Sequence, residues 1–145
     1  MAEKGYDIVV HAAAPPSVVF GVLADGPGWV RWTSLGHATY EVEGDPAPHG
    51  VGAIRLLGAG FGPRSREQVV EYRPDEHFAY VSLSGPLPMK DYRADVRLSP
   101  EADGTRIHWK GSFRSSVPGM GWFISRMVNG FATGLVAESE RIASN

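Results

Sequence analysis

Hydrophobic residues recur at two periods along the chain, and each period predicts a different kind of element. Near the start, residues 6–11 are predicted to form a strand that ends at the run Ala12-Ala13-Ala14-Pro15-Pro16. Proline suits the first turn of a helix, because its missing N–H is not needed there. A first helix is therefore predicted behind the prolines, where apolar residues recur at helical spacing: Val19, Phe20 and Leu23.

Two of the four tryptophans follow the break Asp25-Gly26-Pro27-Gly28. Trp29 and Trp32 are three residues apart, so a second short helix would present both rings on one side. Two interpretations are open: the pair fills an ordinary core, or it walls a space that stays open. We expect Trp32 to belong to the core and Trp29, beside the break, to help close a pocket.

Beyond these helices the period changes to two, which is typical of strands. Four strands separated by turns rich in glycine and proline are predicted: residues 39–43, 52–58, 66–72 and 77–84. In the second of them, Ile54 and Leu56 are assigned to the dry face of the sheet. The facing of the last strand stays open, because two alternating sets compete: Phe78 and Tyr80 against Ala79, Val81 and Leu83.

The clearest alternation is a hairpin around the turn Asp103-Gly104. Charged and apolar residues alternate along 91–98 and again along 106–114, which predicts one wet and one dry face. His108 is assigned to the wet face. The dry face is assigned these larger side chains: Tyr92, Val96, Trp109 and Phe113.

Residues 121–142 are predicted to form one long helix that closes the chain. Its apolar stripe has a spacing of three and four: Met120, Ile124, Met127, Phe131, Leu135 and Ile142. Gly130 and Gly134 lie inside the predicted helix. Their missing side chains either allow close packing against the sheet or leave room for a ligand. Only this helix is long enough to cover the dry face, so the element order predicts an α+β fold with a single domain, residues 1–145.

Composition narrows the function. The net charge of −2 offers no field that attracts nucleic acid, so no nucleic-acid partner is expected. The absence of cysteine excludes disulfides, cysteine-ligated zinc and thiol catalysis. We expect no signal peptide. No stable membrane insertion is expected either, since no apolar stretch approaches the roughly 18 residues of a spanning helix. A cytoplasmic location is therefore expected.

Motifs for other chemistry are missing. The five histidines lack the spacing of a metal site, and neither a metal nor another cofactor is expected: His11, His37, His49, His77 and His108. No G-x-S-x-G nucleophile motif occurs. The glycine-rich run at 58–62 is followed by a strand, whereas a nucleotide-binding loop requires a helix there, so we interpret it as a flexible hairpin.

Four stretches of the chain carry a resemblance to a known family. They are APPSVVFGVLADGPGWVRW, HGVGAIRLL, REQVVEYRPDEHFAYVSLSGPLPMKDYRADVRLSPEADGTRIHWKGSF and the closing amphipathic helix. In this order they resemble the START-like (SRPBCC) superfamily, and within it the bacterial polyketide cyclase/dehydrase and lipid transport group. The stretch VEGDPAPHGVGAIRLL also resembles the glycine-rich turn and following strand of the plant pollen-allergen relatives that share the Bet v 1-like fold.

The resemblance implies the helix-grip fold. In that fold a curved seven-stranded antiparallel sheet wraps around the long C-terminal helix, and two short helices follow strand 1. A cavity lies between sheet and helix, its mouth near the short helices and the strand-connecting loops. The hairpin at 58–62 would then act as a gate at this mouth.

The implied partner is a hydrophobic small molecule: a lipid, a polyketide or an aromatic metabolite. Large aromatic rings and adaptable methionines suit such a pocket, and inward tyrosines would add polar handles. The residues expected to contact the ligand are Trp29, Ile54, Leu56, Tyr80, Tyr92, Trp109, Phe113, Met120, Met127 and Phe131.

Three functions stay open. The first is a carrier or sequestering protein. The second is an aromatase/cyclase or dehydratase of the polyketide type, in which Tyr92 and Tyr80 are the first catalytic candidates; an inward arginine or carboxylate would favour it. The third is a protein-interaction module, which predicts an exposed apolar patch instead of a deep cavity. Monomer and homodimer are both open.

Overall fold

The computed structural model describes residues 2–145, which form one seven-stranded antiparallel sheet and a layer of helices. The spatial order of the strands is β1-β7-β6-β5-β4-β3-β2. The strands are β1 (Ala2–Ala12), β2 (His37–Val42), β3 (Ile54–Gly58), β4 (Ser65–Arg73), β5 (His77–Ser84), β6 (Lys90–Glu101) and β7 (Gly104–Ser115). The helices are α1 (Pro16–Ala24) and α2 (Met120–Ala143), with a 3₁₀ turn (Pro27–Arg31) between α1 and β2.

This architecture confirms the α+β class and the helix-grip arrangement expected from the sequence. The apolar face of the sheet is covered by α1, the 3₁₀ turn and α2, and the core lies between these two layers. Strand β1 is longer than predicted because it pairs with β7 along its whole length, from Ala2 opposite Ser115 to Ala12 opposite Thr105.

The β6–β7 hairpin has the predicted facing. Its inward side chains are all buried: Tyr92, Val96, Leu98, Ile107, Trp109 and Phe113. His108 lies on the other face, where its Nε2 is 2.7 Å from the Asp7 carboxylate. The hairpin follows the period-two rule because the two sides of these strands meet different surroundings, core and solvent.

Strand β5 settles the facing that the sequence left open. Phe78 and Tyr80 both point towards the helical layer, where Phe78 packs edge-on against Phe20 and Tyr80 against Trp29. Ala79 points to the opposite face and is also buried, with the longer side chains of Glu71 and Asp95 beside it on the two neighbouring strands. Burial on both faces explains why this segment shows no clear alternation.

Strand β3 has the opposite facing to the one predicted. Arg55 and Leu57 are buried, whereas Ile54 and Leu56 are only half-buried on the other face. The assignment of Ile54 and Leu56 to the dry face was wrong because it treated arginine as a surface residue. Arg55 is buried with a carboxylate partner, Glu67, supplied by the neighbouring strand.

Helix α2 follows its predicted stripe up to Leu135 and departs from it in the last turns. Ile142 is exposed, and the buried positions near the C-terminal end are Glu138 and Ser139. The Glu138 carboxylate accepts two hydrogen bonds from Arg141 and lies 3.7 Å from Arg31 of the 3₁₀ turn. An ion-pair cluster therefore ties the end of α2 to the segment that carries Trp29.

The two glycines of α2 provide a matched test of how closely this helix packs. A Cβ at Gly134 would overlap the backbone carbonyl oxygen of Trp32, whereas a Cβ at Gly130 meets no atom within 4 Å among the described residues. We expect Gly134→Ala to lower the free energy of unfolding by about 1–3 kcal/mol through overpacking. Gly130→Ala should raise it by about 0.5–1 kcal/mol, because alanine loses less backbone entropy in a helix. Urea denaturation measures both, and equal effects would contradict the close contact at Gly134.

Candidate ligand-binding cavity

A cavity of about 320 Å³ lies between the sheet and the first half of α2. Four segments surround it: the chain after the 3₁₀ turn, the β3–β4 turn, the β5–β6 loop and α2. Most of its wall is apolar: Trp29, Leu35, Leu57, Pro86, Leu87, Met89, Phe123, Met127 and Phe131. The polar side chains of the wall are Ser34, Ser65, Glu67, Tyr80 and Tyr92.

A second opening of about 280 Å³ adjoins this cavity on the side of β5 and β6. The two share part of their walls: Ser65, Leu87, Met89 and Tyr92. Its own wall adds Ser82, Ser84, Lys90 and Asp91, so it is the more polar of the two. A bound molecule would therefore have its apolar part beside Trp29 and α2, with polar surroundings towards β5 and β6.

Five of the ten residues that the sequence nominated for ligand contact line the cavity: Trp29, Tyr80, Tyr92, Met127 and Phe131. Trp109, Phe113 and Met120 are buried but lie outside the wall. Trp109 instead supports the wall, with its ring 5.9 Å from Trp29 and 6.3 Å from Phe131. Ile54 and Leu56 are not part of the wall, because β3 turns them to the opposite face.

Glu67, Leu57 and Phe123 are among the wall residues that sequence reasoning missed. The signal for Glu67 was present: it lies two residues before Val69, a buried residue of the same strand, so both share one face. Leu57 was missed with the facing of β3. Phe123 belongs to the exposed start of α2, beside the predicted stripe.

Trp29 lies at the inner wall of the cavity and is almost fully buried. Its indole N–H donates a 2.9 Å hydrogen bond to the carbonyl oxygen of Leu23, which ties the 3₁₀ turn to α1. Its ring packs edge-on against Tyr80, Trp109 and Phe131. Trp29 therefore links the helical layer to the sheet. Trp32 is also buried, and its ring centre lies 4.9 Å from that of Trp29.

Arg55 is a fully buried cation behind this wall. One guanidinium nitrogen donates a 3.0 Å hydrogen bond to Oε1 of Glu67. The guanidinium also lies over the rings of Trp29 and Tyr80, at 4.6 and 4.8 Å from their centres. Cation–π contacts of this kind contribute about 2 kcal/mol when desolvated. Within residues 2–145, its Nε and Nη1 have no hydrogen-bond partner, so aromatic faces and one carboxylate are what compensate the charge.

Glu67 presents a carboxylate to the cavity. Burial raises the pKa of Glu67 above its ordinary value, although the charge and hydrogen bond of Arg55 act in the opposite direction. Only Oε1 is engaged by Arg55, and Oε2 accepts no hydrogen bond from the described residues. A wall residue whose carboxyl group has a raised pKa and one oxygen without a hydrogen bond can bind a polar group of a ligand or exchange a proton with it.

Three tyrosines extend the polar part of the site. The hydroxyl groups of Tyr6 and Tyr92 share a short hydrogen bond, and Tyr92 lies beside Tyr80 with ring centres 6.3 Å apart. Burial raises the pKa of all three tyrosines, so each remains a neutral hydroxyl that can donate or accept a hydrogen bond. Tyr80, Tyr92 and Glu67 make one polar strip along the wall, and Tyr6, which is not part of the wall, bonds Tyr92 from outside it.

The β3–β4 turn borders the cavity, as expected for a hairpin at its mouth. Gly58, Ala59 and Pro63 belong to the wall. Phe61, at the tip of the turn, is 83% exposed. Gly60 and Gly62 have positive φ angles of 104° and 79°, which residues with a side chain rarely adopt. Whether the turn opens and closes as a gate stays a prediction.

The sequence matches a known family along most of its length. The family is described as polyketide cyclase / dehydrase and lipid transport, and the match spans residues 6–140. The chain belongs to this family. The START-like assignment made from the sequence is thereby confirmed. A search of the curated proteins found no match.

Solved structures share the fold of this polyketide cyclase/dehydrase and lipid transport family member. A protein from Nitrosospira multiformis is 19% identical, with a TM-score of 0.78 over 93% of this chain and 95% of the other. A START superfamily protein from Mycobacterium smegmatis is 12% identical, with a TM-score of 0.78 over 95% and 98%. Ara h 8.0201 is 13% identical, with a TM-score of 0.77 over 95% and 98%. At these identities the likeness establishes the fold, and family and fold together indicate a domain that binds hydrophobic ligands.

Among residues 2–145, no group of three or more histidine, aspartate and glutamate side chains lies close enough together to hold a metal ion. No helix in the same part of the chain combines the length and apolarity needed to cross a membrane.

Proposed function

We propose that the protein binds a hydrophobic small molecule in the cavity between the sheet and α2, as a carrier or sequestering protein. The molecule would be a lipid, a polyketide or an aromatic metabolite. The observation that carries the proposal is the cavity itself: about 320 Å³, with an apolar wall and a short polar strip. Small-molecule sites have this composition and begin at about 300 Å³.

The wall suits ligands that vary in shape. Phe123, Met127 and Phe131 face the cavity from one helix, and Met89 faces it from the β5–β6 loop. Methionine adapts to irregular apolar surfaces because its side chain is unbranched and its sulfur is polarizable. The rigid side, formed by Trp29 and Tyr80, is held by buried aromatic contacts. One wall would adapt and the other would orient the ligand.

The experiment begins with the protein purified from its native host. Native mass spectrometry is expected to detect a co-purified apolar molecule, and titration of that molecule should shift the tryptophan emission. The shift should be smaller in Trp29→Phe, because Trp29 contacts the cavity. A protein that carries no ligand and whose emission is unchanged by a panel of lipids and aromatic polyketides would contradict the proposal.

A second function, turnover of the bound molecule, is favoured by one specific observation. An inward arginine and an inward carboxylate, Arg55 and Glu67, lie beside the cavity and next to Tyr80. A carboxyl group with a raised pKa is suited to take a proton from, or return it to, a carbon next to a ketone. Cyclisation and dehydration of a polyketide both require such proton transfers.

The two functions differ in one measurement. If the protein is an enzyme, the co-purified or added polyketide changes mass or absorbance on incubation, and Glu67→Gln abolishes this change while the ligand still binds. If it is a carrier, the ligand is recovered unchanged from both proteins.

A further inference from the structure

We propose that the cavity selects neutral ligands that donate a hydrogen bond from a hydroxyl group, and that it discriminates against carboxylates of the same shape. This inference rests on the proposed binding function and adds the chemical class of the ligand. It follows from how the buried charges are placed around the cavity.

The first observation is the charge of the wall. Among the lining residues in the described chain, Glu67 is the one with a formally charged side chain, and neither lysine nor arginine lines the cavity. An anionic ligand in this cavity would therefore meet a carboxylate and no cation of the wall, and the lysine of the adjoining opening, Lys90, is accompanied there by Asp91. In a site shielded from water, repulsion between two anions is only weakly screened.

The second observation is that the nearby cation is already committed. Arg55 lies behind Glu67, is fully buried, and directs one nitrogen to Oε1 of Glu67 at 3.0 Å. Its remaining surface faces the rings of Trp29, Tyr80 and Phe78. The pair is neutral as a unit, so its positive half is not available to a ligand carboxylate without displacing Glu67.

The third observation identifies the ligand group that fits. Oε2 of Glu67 accepts no hydrogen bond from residues 2–145 and belongs to a wall residue. A hydroxyl group can donate to this oxygen and can accept a hydrogen bond from a neighbouring tyrosine, Tyr80 or Tyr92, on the same wall. A ligand carboxylate has no proton to donate, so it would bind only if Glu67 took up a proton at the same time.

The test uses two matched pairs of probes at neutral pH: 2-naphthol with 2-naphthoate, and 1-hexadecanol with palmitate. Uptake of the neutral dye N-phenyl-1-naphthylamine first shows whether the cavity accepts an apolar molecule, and the probes then compete with the dye. We expect at least one alcohol to bind, about tenfold or more tighter than its carboxylate partner.

The variant Glu67→Gln should reverse this preference. Glutamine keeps the size of the side chain and an oxygen for Arg55, but the pair changes from neutral to positive. The carboxylate-to-alcohol ratio should therefore rise about tenfold or more. The matched control is Glu71→Gln, which removes the same charge from the same strand beside Arg93 and should leave the ratio unchanged.

The outcomes distinguish the proposed ligand selectivity from the proposed binding function. If the wild-type protein takes up the dye but binds the carboxylates as well as the alcohols, or binds neither alcohol, the selectivity is overturned and the binding function stands. If it takes up neither dye nor probes, the binding function itself fails. Should Glu67→Gln not fold, the wild-type comparison of each alcohol with its carboxylate still decides.

Discussion

Replacement of Arg55 by methionine is expected to lower the free energy of unfolding by about 3–5 kcal/mol at neutral pH, because it leaves the carboxylate of Glu67, only 14% exposed, without its cation. The loss should shrink as the pH falls towards 4.5, the ordinary pKa of glutamate. Without Arg55 the pKa of Glu67 rises further in the folded state. A carboxyl group with a raised pKa stabilises the fold while it is protonated, and this contribution is lost as the pH rises through the folded-state pKa.

The control for this prediction is Arg66→Met. Arg66 forms an exposed ion pair with Glu41, with hydrogen bonds of 2.7 and 2.9 Å, and the two residues lie on the strands that flank Arg55. Removing Arg66 should lower the free energy of unfolding much less than removing Arg55. Urea denaturation at several pH values compares the two variants. The double variant Arg55→Met with Glu67→Leu should recover most of the loss, since it leaves no buried charge. A similar loss for Arg55→Met and Arg66→Met would show that Arg55 is not a buried partner of Glu67.

Replacement of Trp29 by alanine is expected to lower the free energy of unfolding by about 3–5 kcal/mol, the usual cost of removing a buried tryptophan. Trp29 contacts three further aromatic rings of the core and the guanidinium of Arg55. Its loss would also leave the carbonyl oxygen of Leu23 without the indole hydrogen bond.

Trp122→Ala is the matched control. Trp122 is 68% exposed at the start of α2, so its removal should change the stability by no more than about 0.5 kcal/mol. Urea denaturation of the two variants tests whether Trp29 joins the helical layer to the sheet. Equal losses would contradict this role.

Elements with one solvated face could be predicted from the sequence. In the β6–β7 hairpin one side of each strand meets the core and the other meets water. Polar and apolar residues therefore alternate along both strands, and the sequence shows this directly. The stripe of α2 was readable for the same reason up to Leu135. The prediction was wrong at Ile142, because the last turns of the helix pack through the ion pairs of Glu138 instead of apolar contacts.

The site was harder to predict because its partners are distant in the sequence. Nothing near Arg55 shows that Glu67 lies opposite it or that Trp29, Phe78 and Tyr80 surround its guanidinium. The period-two rule therefore chose Ile54 and Leu56 for the interior. Nor does an apolar stripe reveal whether sheet and helix enclose a space, because that depends on how close the two layers approach, as at the contact between Gly134 and Trp32.

The central claim, that the space between sheet and α2 is a binding site, is tested most directly by filling it from one side. Leu57→Trp places a large ring in the cavity, whereas Leu56→Trp places the same ring on the opposite face of the same strand. We predict that Leu57→Trp lowers the affinity for N-phenyl-1-naphthylamine about tenfold or more, and that Leu56→Trp leaves it unchanged. Equal affinities in two folded variants would mean that the dye binds elsewhere, and would contradict the claim.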